Sequence, residues 1–512
     1  MDKDKTKLAR INRIAIIFIS VGLLSGTVAT SASIGNDERR TNILLIVTDD
    51  QRWDELGLVQ REQRDSARFP FIKTPRLDNL AAQGMRFRNA FVTTSLCSPS
   101  RSAMLTGQYN HTNGIIDNAT AFSPRPTWAT ALQAAGYNTA YFGKWHHGDK
   151  QWDRPGFDYI ATFRGQGRYN DTTFKINNER FSKKTRGYVD GHTVDFAIEF
   201  LEDVGNEPFA MMVGFKAVHQ PFTPMQEHAE NYSSDSIIPA ANWNAMAPWK
   251  NKAPLVIPRK PRNPKIWMNI LRTLDGVDKN VGRLLDALDE LKLADNTLVI
   301  FTSDNGFYLG EHHLSDKRSA YEESIRIPLI ARLPGVIPAG STSENLVLNI
   351  DLAPTIIDIA LQQELGLDMH GLSLRPLFEE RPGPWREAFL YEYWQESRVE
   401  SSTGVPQTPT ILAVRTPTHK LITYPGFSNW TELFDLEADP YETRNLVGYS
   451  KEVNRHVDMC NLLAQTLKET DFVDRDLTHK WLGGDTDVYF PGQARAKTPT
   501  ETRRPPLLHP NC

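Results

Sequence analysis

The chain has 512 residues and a formal net charge of −4 at pH 7, with 40% hydrophobic and 23% charged residues. This length allows a large hydrophobic core and favours two or more domains, and the composition excludes collagen, coiled coils and long disordered regions. The negative net charge argues against a nucleic acid as partner, so local cations would have to attract an anionic substrate.

The first 35 residues have the layout of a secretory signal peptide. Five basic residues precede an apolar run at 14–24, and small residues follow at 30–33 as a cleavage site. The apolar run is too short to span a bilayer comfortably. We therefore expect a secreted or periplasmic protein without a stable membrane span after cleavage. Retention of this segment as a membrane anchor is the alternative.

Apolar runs of strand length, each followed by polar residues, alternate with helix-like stretches over the next 270 residues or so. Such runs suit strands that are buried on both faces of a parallel sheet. The alternation predicts an α/β fold, with a large, mainly parallel (mixed) sheet flanked by helices and functional groups at the carboxyl ends of the strands. The predicted strands are 42–47, 138–142, 209–215 and 297–301, and the predicted helices are 127–135, 191–202 and 265–291.

The C-terminal part of the chain has a different pattern. After a predicted helix at 350–361, a turn-rich stretch at 371–384 marks a boundary, so we expect an N-terminal domain at 36–380 and a smaller α+β domain at 381–512. An extended tail is expected at 493–510. The smaller domain is predicted to hold an antiparallel sheet and one helix, from strands at 388–393, 410–415, 419–423 and 432–435 and a helix at 451–469.

Three cysteines are present. Cys97 opens the string CSPSR at 97–101, and LTG follows at 105–107. Proline and serine at 99–100 favour a helix start, which places Cys97 where backbone N–H groups favour an anion, with Arg101 as a nearby cation. A reduced, buried cysteine is the alternative for Cys97. Cys460 and Cys512 either pair with each other in an oxidising compartment or remain free thiols.

Two acidic pairs follow predicted strands. Asp49 and Asp50 follow the first strand, and Asp304 and Asn305 follow the fourth. Adjacent buried carboxylates repel each other unless a cation neutralises them, and a hard cation with oxygen ligands would do so. An all-oxygen ligand set argues against zinc. Taken alone, each pair would be read as a helix cap or a turn.

Three further segments carry candidate cations and acid–base groups. In GKWH at 143–146, a strand-like extension would point Lys144 and His146 in the same direction, into one cavity. His219 begins His-Gln-Pro after the third strand, and Lys317 lies twelve positions after Asn305. Taken in isolation, Lys144 would be read as a surface lysine, His146 as a packed histidine and His219 as a loop histidine.

Together, these motifs resemble the type I, formylglycine-dependent sulfatases of the alkaline phosphatase superfamily. CSPSR with LTG is similar to the family signature Cys-x-Pro-Ser-Arg and Leu-Thr-Gly, GKWH matches Gly-Lys-Trp-His, and His219 begins a His-x-Pro. The resemblance covers most of 40–380 and extends more weakly to 432–442. It implies that a formylglycine-generating enzyme oxidises Cys97 to formylglycine, whose hydrate attacks sulfur.

The resemblance also implies one calcium ion per chain and assigns roles to the other residues. Arg101 would hold the hydrate and the metal site, and Lys144 and Lys317 would supply positive charge. His146 would deprotonate the remaining hydroxyl, and His219, with Lys317, would protonate the leaving alcohol. The implied metal ligands are Asp49, Asp50, Asp304, Asn305 and modified Cys97.

The function expected from this resemblance is hydrolysis of a sulfate monoester on a carbohydrate, such as a sulfated polysaccharide or its oligosaccharides. Residues 164–169 are candidate pocket residues, and Trp394 is a candidate for stacking on a sugar ring. A phosphoester or phosphonate monoester hydrolase of the same superfamily is an alternative. A non-catalytic carbohydrate-binding relative is another, although the intact motifs argue against it.

Overall fold

The computed structural model describes residues 40–148, 154–177, 183–232, 238–250, 264–363, 365–381, 383–396, 408–472 and 512. The predicted signal peptide and the predicted tail at 493–510 lie outside these residues. Among the described residues, no helix combines the length and the apolar character that crossing a membrane requires.

A ten-stranded sheet forms the centre of the described fold. Its central strands Asn42–Thr48 and Thr297–Ser303 are buried at every position, as expected for continuous apolar runs in a sheet that is covered on both faces. The strands are β1 (Asn42–Thr48), β2 (Met85–Phe87), β3 (Ala90–Phe91), β4 (Asn138–Lys144), β5 (Tyr159–Phe163), β6 (Thr173–Ile176), β7 (Lys183–Lys184), β8 (Phe209–Gly214), β9 (Thr297–Ser303), β10 (Tyr308–Leu309), β11 (Ser315–Asp316), β12 (Leu329–Arg332), β13 (Ser341–Ser343) and β14 (Val347–Leu348). The ten-stranded sheet has the order β13-β2-β12-β9-β1-β8-β4-β5-β6-β7, and β3 pairs with β14 and β10 with β11 outside it.

The central strands of this sheet are parallel, and the strands towards its edges make it mixed. Strand β1 lies between β8 and β9 and pairs in parallel with both, and β4 pairs in parallel with β8 and β5. Strand β12 is antiparallel to β9. In the register of β1 and β9, Thr48 lies opposite Ser303, so the residues that follow both strands emerge side by side. The predicted mixed, mainly parallel sheet is confirmed.

Helices cover both faces of the sheet. Side chains alternate along β1, so that Ile43, Leu45 and Val47 join one hydrophobic core and Leu44 and Ile46 join the other. The helices are α1 (Gly57–Gln63), α2 (Pro75–Ala82), α3 (Cys97–Thr106), α4 (Asn110–Asn113), α5 (Trp128–Ala134), α6 (Val189–Val204), α7 (Pro264–Glu290), α8 (Glu322–Ile325), α9 (Leu352–Leu361), α10 (Arg375–Phe378) and α11 (Val453–Glu469).

The C-terminal part contains the expected antiparallel sheet. Strands β15 (Phe389–Tyr393), β16 (Ile411–Arg415), β17 (His419–Thr423) and β18 (Glu432–Asp435) pair in chain order. Buried residues of this sheet and of α11 belong to the same hydrophobic core as α9. The fold class predicted for this part is confirmed, and the domain boundary near residue 380 stays a prediction.

A disulfide bond joins the last residue of the chain to the C-terminal helix. Cys460 of α11 is bonded to Cys512, and their Cα atoms are 5.8 Å apart. The Thr431 hydroxyl donates a hydrogen bond to the Cys512 carbonyl oxygen at 3.0 Å. Of the two states that the sequence left open for these cysteines, the structure contains the paired one.

Candidate active site

The two acidic pairs predicted from the sequence form one cluster at the carboxyl ends of β1 and β9. The Asp50 backbone N–H donates to Asp304 Oδ1 at 3.1 Å, and Asn305 Nδ2 donates to Asp50 Oδ1 at 2.6 Å. Asp49 is fully buried, and Asp50 is 2% exposed. Parallel pairing of β1 with β9 therefore brings together residues that are about 250 positions apart in the chain.

Cys97 lies at the edge of this cluster as the first residue of α3, and its side chain is fully buried. Its Sγ is 3.5 Å from Asp49 Oδ1 and 3.1 Å from Lys317 Nζ. Burial raises the pKa of the Cys97 thiol to about 12, although Lys144 and Lys317 act in the opposite direction. An unmodified thiol here stays protonated at neutral pH and is a poor nucleophile.

Each of the three carboxylates is paired with one buried cation. Lys144 Nζ bonds Asp49 Oδ2, and Lys317 Nζ bonds Asp50 Oδ1. Arg101 Nε donates to Asp304 Oδ2 at 2.8 Å. Although burial alone would raise it, the Lys144 ammonium and neighbouring cations hold the pKa of Asp49 well below its usual range. The cluster thus combines negative oxygens with positive groups in a site shielded from water.

Two oxygen atoms of the cluster have no hydrogen-bond partner among the residues that the structure describes. Asp50 Oδ2 and Asn305 Oδ1 are both buried and unpartnered, whereas buried polar atoms normally have partners. Burial raises the pKa of Asp50 and that of Asp304, the latter to about 7, and the charge of Asp49 adds to both shifts. A hard divalent cation would satisfy the free oxygens and favour the charged carboxylates. The residues therefore fit the calcium site that the resemblance implies.

His219 reaches the same cluster from the loop after β8. Its Nδ1 donates to the Gln220 carbonyl oxygen at 2.8 Å, and its Nε2 lies 3.7 Å from Asp50 Oδ2. The Tyr169 hydroxyl donates to the His219 carbonyl oxygen. Burial lowers the pKa of His219 to about 3, although the negative charge of Asp49 opposes the shift. Because His219 Nδ1 is bonded to the Gln220 carbonyl oxygen, Nε2 is the ring atom that remains available to the site.

The strand-like extension predicted for Lys144 and His146 is wrong. Strand β4 ends at Lys144, and His146 has a φ of 65°, in the left-handed region. The chain leaves the sheet because the Lys144 carbonyl oxygen accepts bonds from Arg101 and from the Tyr141 hydroxyl. His146 Nε2 instead accepts a bond from Gln166 Nε2 at 3.1 Å.

His146 nevertheless lies within the electrostatic field of the site. Burial lowers its pKa well below the usual value, and Lys144, Arg101 and Lys317 lower it further while Asp49 raises it. The ring is therefore neutral near pH 7, as an acceptor of protons must be. All of the predicted site residues thus either contact the cluster or act on it electrostatically.

Some contacts of the site were missed by sequence reasoning. His147 is fully buried, and its Nδ1 lies 2.7 Å from Ser98 Oγ. Its position directly after the GKWH segment was the available signal. Gln166 was predicted only as part of a pocket segment, because 20 residues separate it from His146. Trp394 is 5% exposed and stacks on Phe472, with ring centroids 6.4 Å apart, which makes it part of the packing.

Comparisons with known proteins agree with this geometry. A model of the sulfatase family matches residues 41–362, more than half of the chain. A second model, the C-terminal part of N-sulphoglucosamine sulphohydrolase, matches residues 310–470. The chain belongs to the sulfatase family, enzymes that hydrolyse sulfate esters, and the resemblance drawn from its motifs is confirmed.

Individual relatives extend over nearly the whole chain. The N-acetylglucosamine-6-O-sulfatase of Bacteroides thetaiotaomicron is 31% identical and aligns with 90% of this chain and 90% of its own. The ulvan-active sulfatase of Formosa agariphila is 30% identical, with coverages of 86% and 84%. A solved structure in complex with its substrate D-glucosamine-2-N,6-O-disulfate has a TM-score of 0.75 and 31% identity and covers 85% of this chain and 99% of its own.

Proposed function

We propose that this sulfatase removes a sulfate ester from a sugar of a polysaccharide or its oligosaccharides. The observation that carries the proposal is the buried cluster in which Cys97 contacts both Asp49 and Lys317. Two of the relatives described above act on or bind sulfated glucosamine, so 6-O-sulfated glucosamine is the first substrate to test.

The proposed nucleophile is formylglycine at position 97. The raised pKa of Cys97 argues against a thiolate nucleophile, so the unmodified residue has little reactivity of its own. The hydrated aldehyde supplies one hydroxyl for attack on sulfur and a second whose later deprotonation expels sulfate. A formylglycine-generating enzyme is accordingly the proposed maturation partner.

The proposed metal is one calcium ion, held by Asp49, Asp50, Asp304, Asn305 and modified residue 97. The unpartnered oxygens Asp50 Oδ2 and Asn305 Oδ1 support this assignment. When bound, calcium supplies positive charge that lowers the pKa of a hydroxyl beside it. Arg101, which is not itself a proposed metal ligand, holds the ligand Asp304 in position through its bond to Asp304 Oδ2.

Lysine and histidine side chains complete the proposed reaction. The ammonium groups of Lys144 and Lys317 bind the negative oxygens of the sulfate group, where preorganised charge stabilises the transition state. His219 Nε2 protonates the leaving alcohol, with Lys317 beside it. The bound sulfate ester favours this, because its negative charge raises the pKa of His219 from the low value of the free site. His146 accepts the proton of the remaining hydroxyl.

We further propose that the protein is exported, to the periplasm or the medium. The layout of the first 35 residues supports this proposal, as does the bond between Cys460 and Cys512, since disulfides persist in oxidising compartments.

Desulfation of a panel of defined sulfated oligosaccharides tests the substrate, and mass spectrometry of the peptide around residue 97 tests the nucleophile. We expect sulfate release from 6-O-sulfated glucosamine and the mass of formylglycine. Active protein that carries only cysteine at position 97 would refute the nucleophile. Faster turnover of an aryl phosphate than of an aryl sulfate would favour the phosphoester hydrolase alternative, and binding of the sugars without release would favour the non-catalytic one.

A further inference from the structure

Gln166 contacts the ring of His146 but has no role in the reaction proposed above. Gln166 Nε2 is 3.1 Å from His146 Nε2. The amide nitrogen can only donate, so in this arrangement His146 Nε2 accepts and the proton of the neutral ring is on Nδ1. The other polar atoms of the pair, His146 Nδ1 and Gln166 Oε1, are buried and form no hydrogen bond within the described ranges of the chain.

A half-turn of the Gln166 amide reverses this arrangement. The turn exchanges nitrogen for oxygen, so that Oε1 accepts a bond from a protonated His146 Nε2. His146 Nδ1 is then left with a free lone pair. One side chain can thus hold the ring in place in both of its neutral tautomers and in its protonated form.

Gln166 is itself held on a fixed turn between β5 and β6. The Gly167 backbone N–H donates to the Arg164 carbonyl oxygen at 3.1 Å, which closes the turn around Gln166. Gly167 has a φ of 62°, and a Cβ atom there would lie 2.5 Å from the Phe163 ring. The turn therefore requires glycine at this position, and the amide is presented to His146 by the backbone.

We propose that Gln166 is a positioning residue that fixes the orientation of the His146 ring. With Oε1 bonded to Nε2–H, Nδ1 keeps its free lone pair, and the ring carries a proton on each nitrogen once Nδ1 accepts one. The Nε2 proton stays bonded to Oε1 throughout, so the ring keeps its orientation. This inference rests on the role proposed above for His146.

Two substitutions of Gln166 separate positioning from packing. Gln166→Leu removes both hydrogen-bonding atoms, and we expect kcat with an aryl sulfate to fall about tenfold while KM changes little. Gln166→Glu keeps an acceptor for Nε2–H, and we expect it to retain most of the parent kcat. Gln465→Leu, on the exposed face of α11, is the matched control, because Gln465 is exposed and its side-chain amide donates to Glu469, another residue of the same helix.

Nitrogen-15 spectra of the histidine rings give a readout that does not depend on turnover. The His146 signals are assigned by their loss in His146→Asn. We expect Gln166→Glu, which can only accept, to favour the proton on Nε2. We expect Gln166→Leu, which offers no hydrogen-bonding atom, to shift the His146 signals away from those of the parent. Identical His146 spectra in the parent and both variants, or a kcat of Gln166→Leu equal to that of the parent, would overturn the proposal. Absence of any sulfatase turnover in the parent would refute the proposed function but leave the spectra interpretable.

Discussion

Two buried groups of charged side chains differ in how their oxygens are partnered. In the group that we call the linking cluster (Glu322, Arg415, Lys420 and Glu442), Lys420 Nζ is 2.8 Å from both Glu322 and Glu442. Arg415 bonds Glu322, and the remaining Glu442 oxygen accepts from the Glu322 backbone N–H at 2.8 Å. In the site cluster, by contrast, Asp50 Oδ2 and Asn305 Oδ1 have no hydrogen-bond partner in the described part of the chain.

This difference separates structural charges from functional ones. The linking cluster joins α8 to β16 and β17, and its carboxylate oxygens are all engaged within the protein. The site cluster contains similar side chains but keeps two oxygens that form no hydrogen bond with the described residues and that a ligand could satisfy. Substitutions in the linking cluster should therefore lower the stability of the fold, whereas substitutions in the site cluster should lower the rate of catalysis.

Loss of the nucleophile should have the largest effect. Cys97→Ala is expected to lower kcat by roughly four orders of magnitude or more, because it removes the nucleophile proposed to form the bond to sulfur. The fold should be retained, since Cys97 makes no salt bridge and lies at a helix start. Turnover of an aryl sulfate and the circular dichroism spectrum measure the two outcomes. A variant that keeps its activity would contradict the proposed nucleophile.

Removal of calcium with a chelator should be the next largest effect. We expect turnover to be lost and then restored by added calcium, because Asp50 and Asp304 lose the charge that keeps them ionised. The bound ion should also stabilise the fold by about 2.7 kcal/mol when its concentration is about 100 times Kd. Full activity in a protein shown by metal analysis to hold no divalent ion would contradict the calcium site.

Replacement of a site lysine should affect turnover more than folding. Lys317→Met is expected to lower kcat about 10²–10³-fold, since it removes an ammonium proposed to stabilise developing charge. The proposed calcium ion would still neutralise Asp50, so the melting temperature should fall only slightly. Steady-state kinetics and thermal unfolding on the same preparation test both parts. A large fall in melting temperature with unchanged kcat would reverse the assignment.

The matched change in the linking cluster should give the opposite result. Lys420→Met leaves Glu322 and Glu442 without a shared cation, and breaking a buried pair costs about 3–5 kcal/mol. We expect the free energy of unfolding in urea to fall by this amount, whereas kcat of the folded protein should stay near that of the parent. A variant as stable as the parent would show that this cluster does not hold the two regions together.

The smallest expected effect concerns Glu432, beside the linking cluster. Burial raises the pKa of Glu432 from 4.5 to about 7, and Tyr321 and Tyr424 donate bonds to it. A folded-state pKa above the unfolded one means that stability is greatest below 4.5 and falls as pH rises through about 7, by roughly 3 kcal/mol. Glu432→Gln should flatten this dependence in urea unfolding at about pH 5 and about pH 7. An unchanged slope would contradict it.

The sequence predicts much of this arrangement because the strand signals are local. The apolar runs before Asp49 and Asp304 identify β1 and β9, and parallel pairing then places both acidic pairs at one edge of the sheet. The predicted helix at 265–291 is also found, at Pro264–Glu290. Strand-length apolar runs and helical periodicity were sufficient for these parts.

The remaining contacts depend on the three-dimensional paths of loops, which local sequence patterns do not specify. The left-handed turn at His146 accompanies a bond from Arg101 to the Lys144 carbonyl oxygen, and these two residues are 43 positions apart. Likewise, the pairing of Lys420 with Glu322 depends on how β17 packs against α8. Short strands such as β10 and β11 carry too few residues for a period to be recognised in the sequence.

The burial of Cys97 has a consequence for the order of events in biosynthesis. A side chain with 0% exposure is out of reach of another protein's catalytic centre. If position 97 is oxidised as proposed, that oxidation has to occur before the nascent polypeptide has folded around position 97. A host cell without the oxidising enzyme would then produce a well-folded but inert product, and later addition of that enzyme to the purified material would not rescue it.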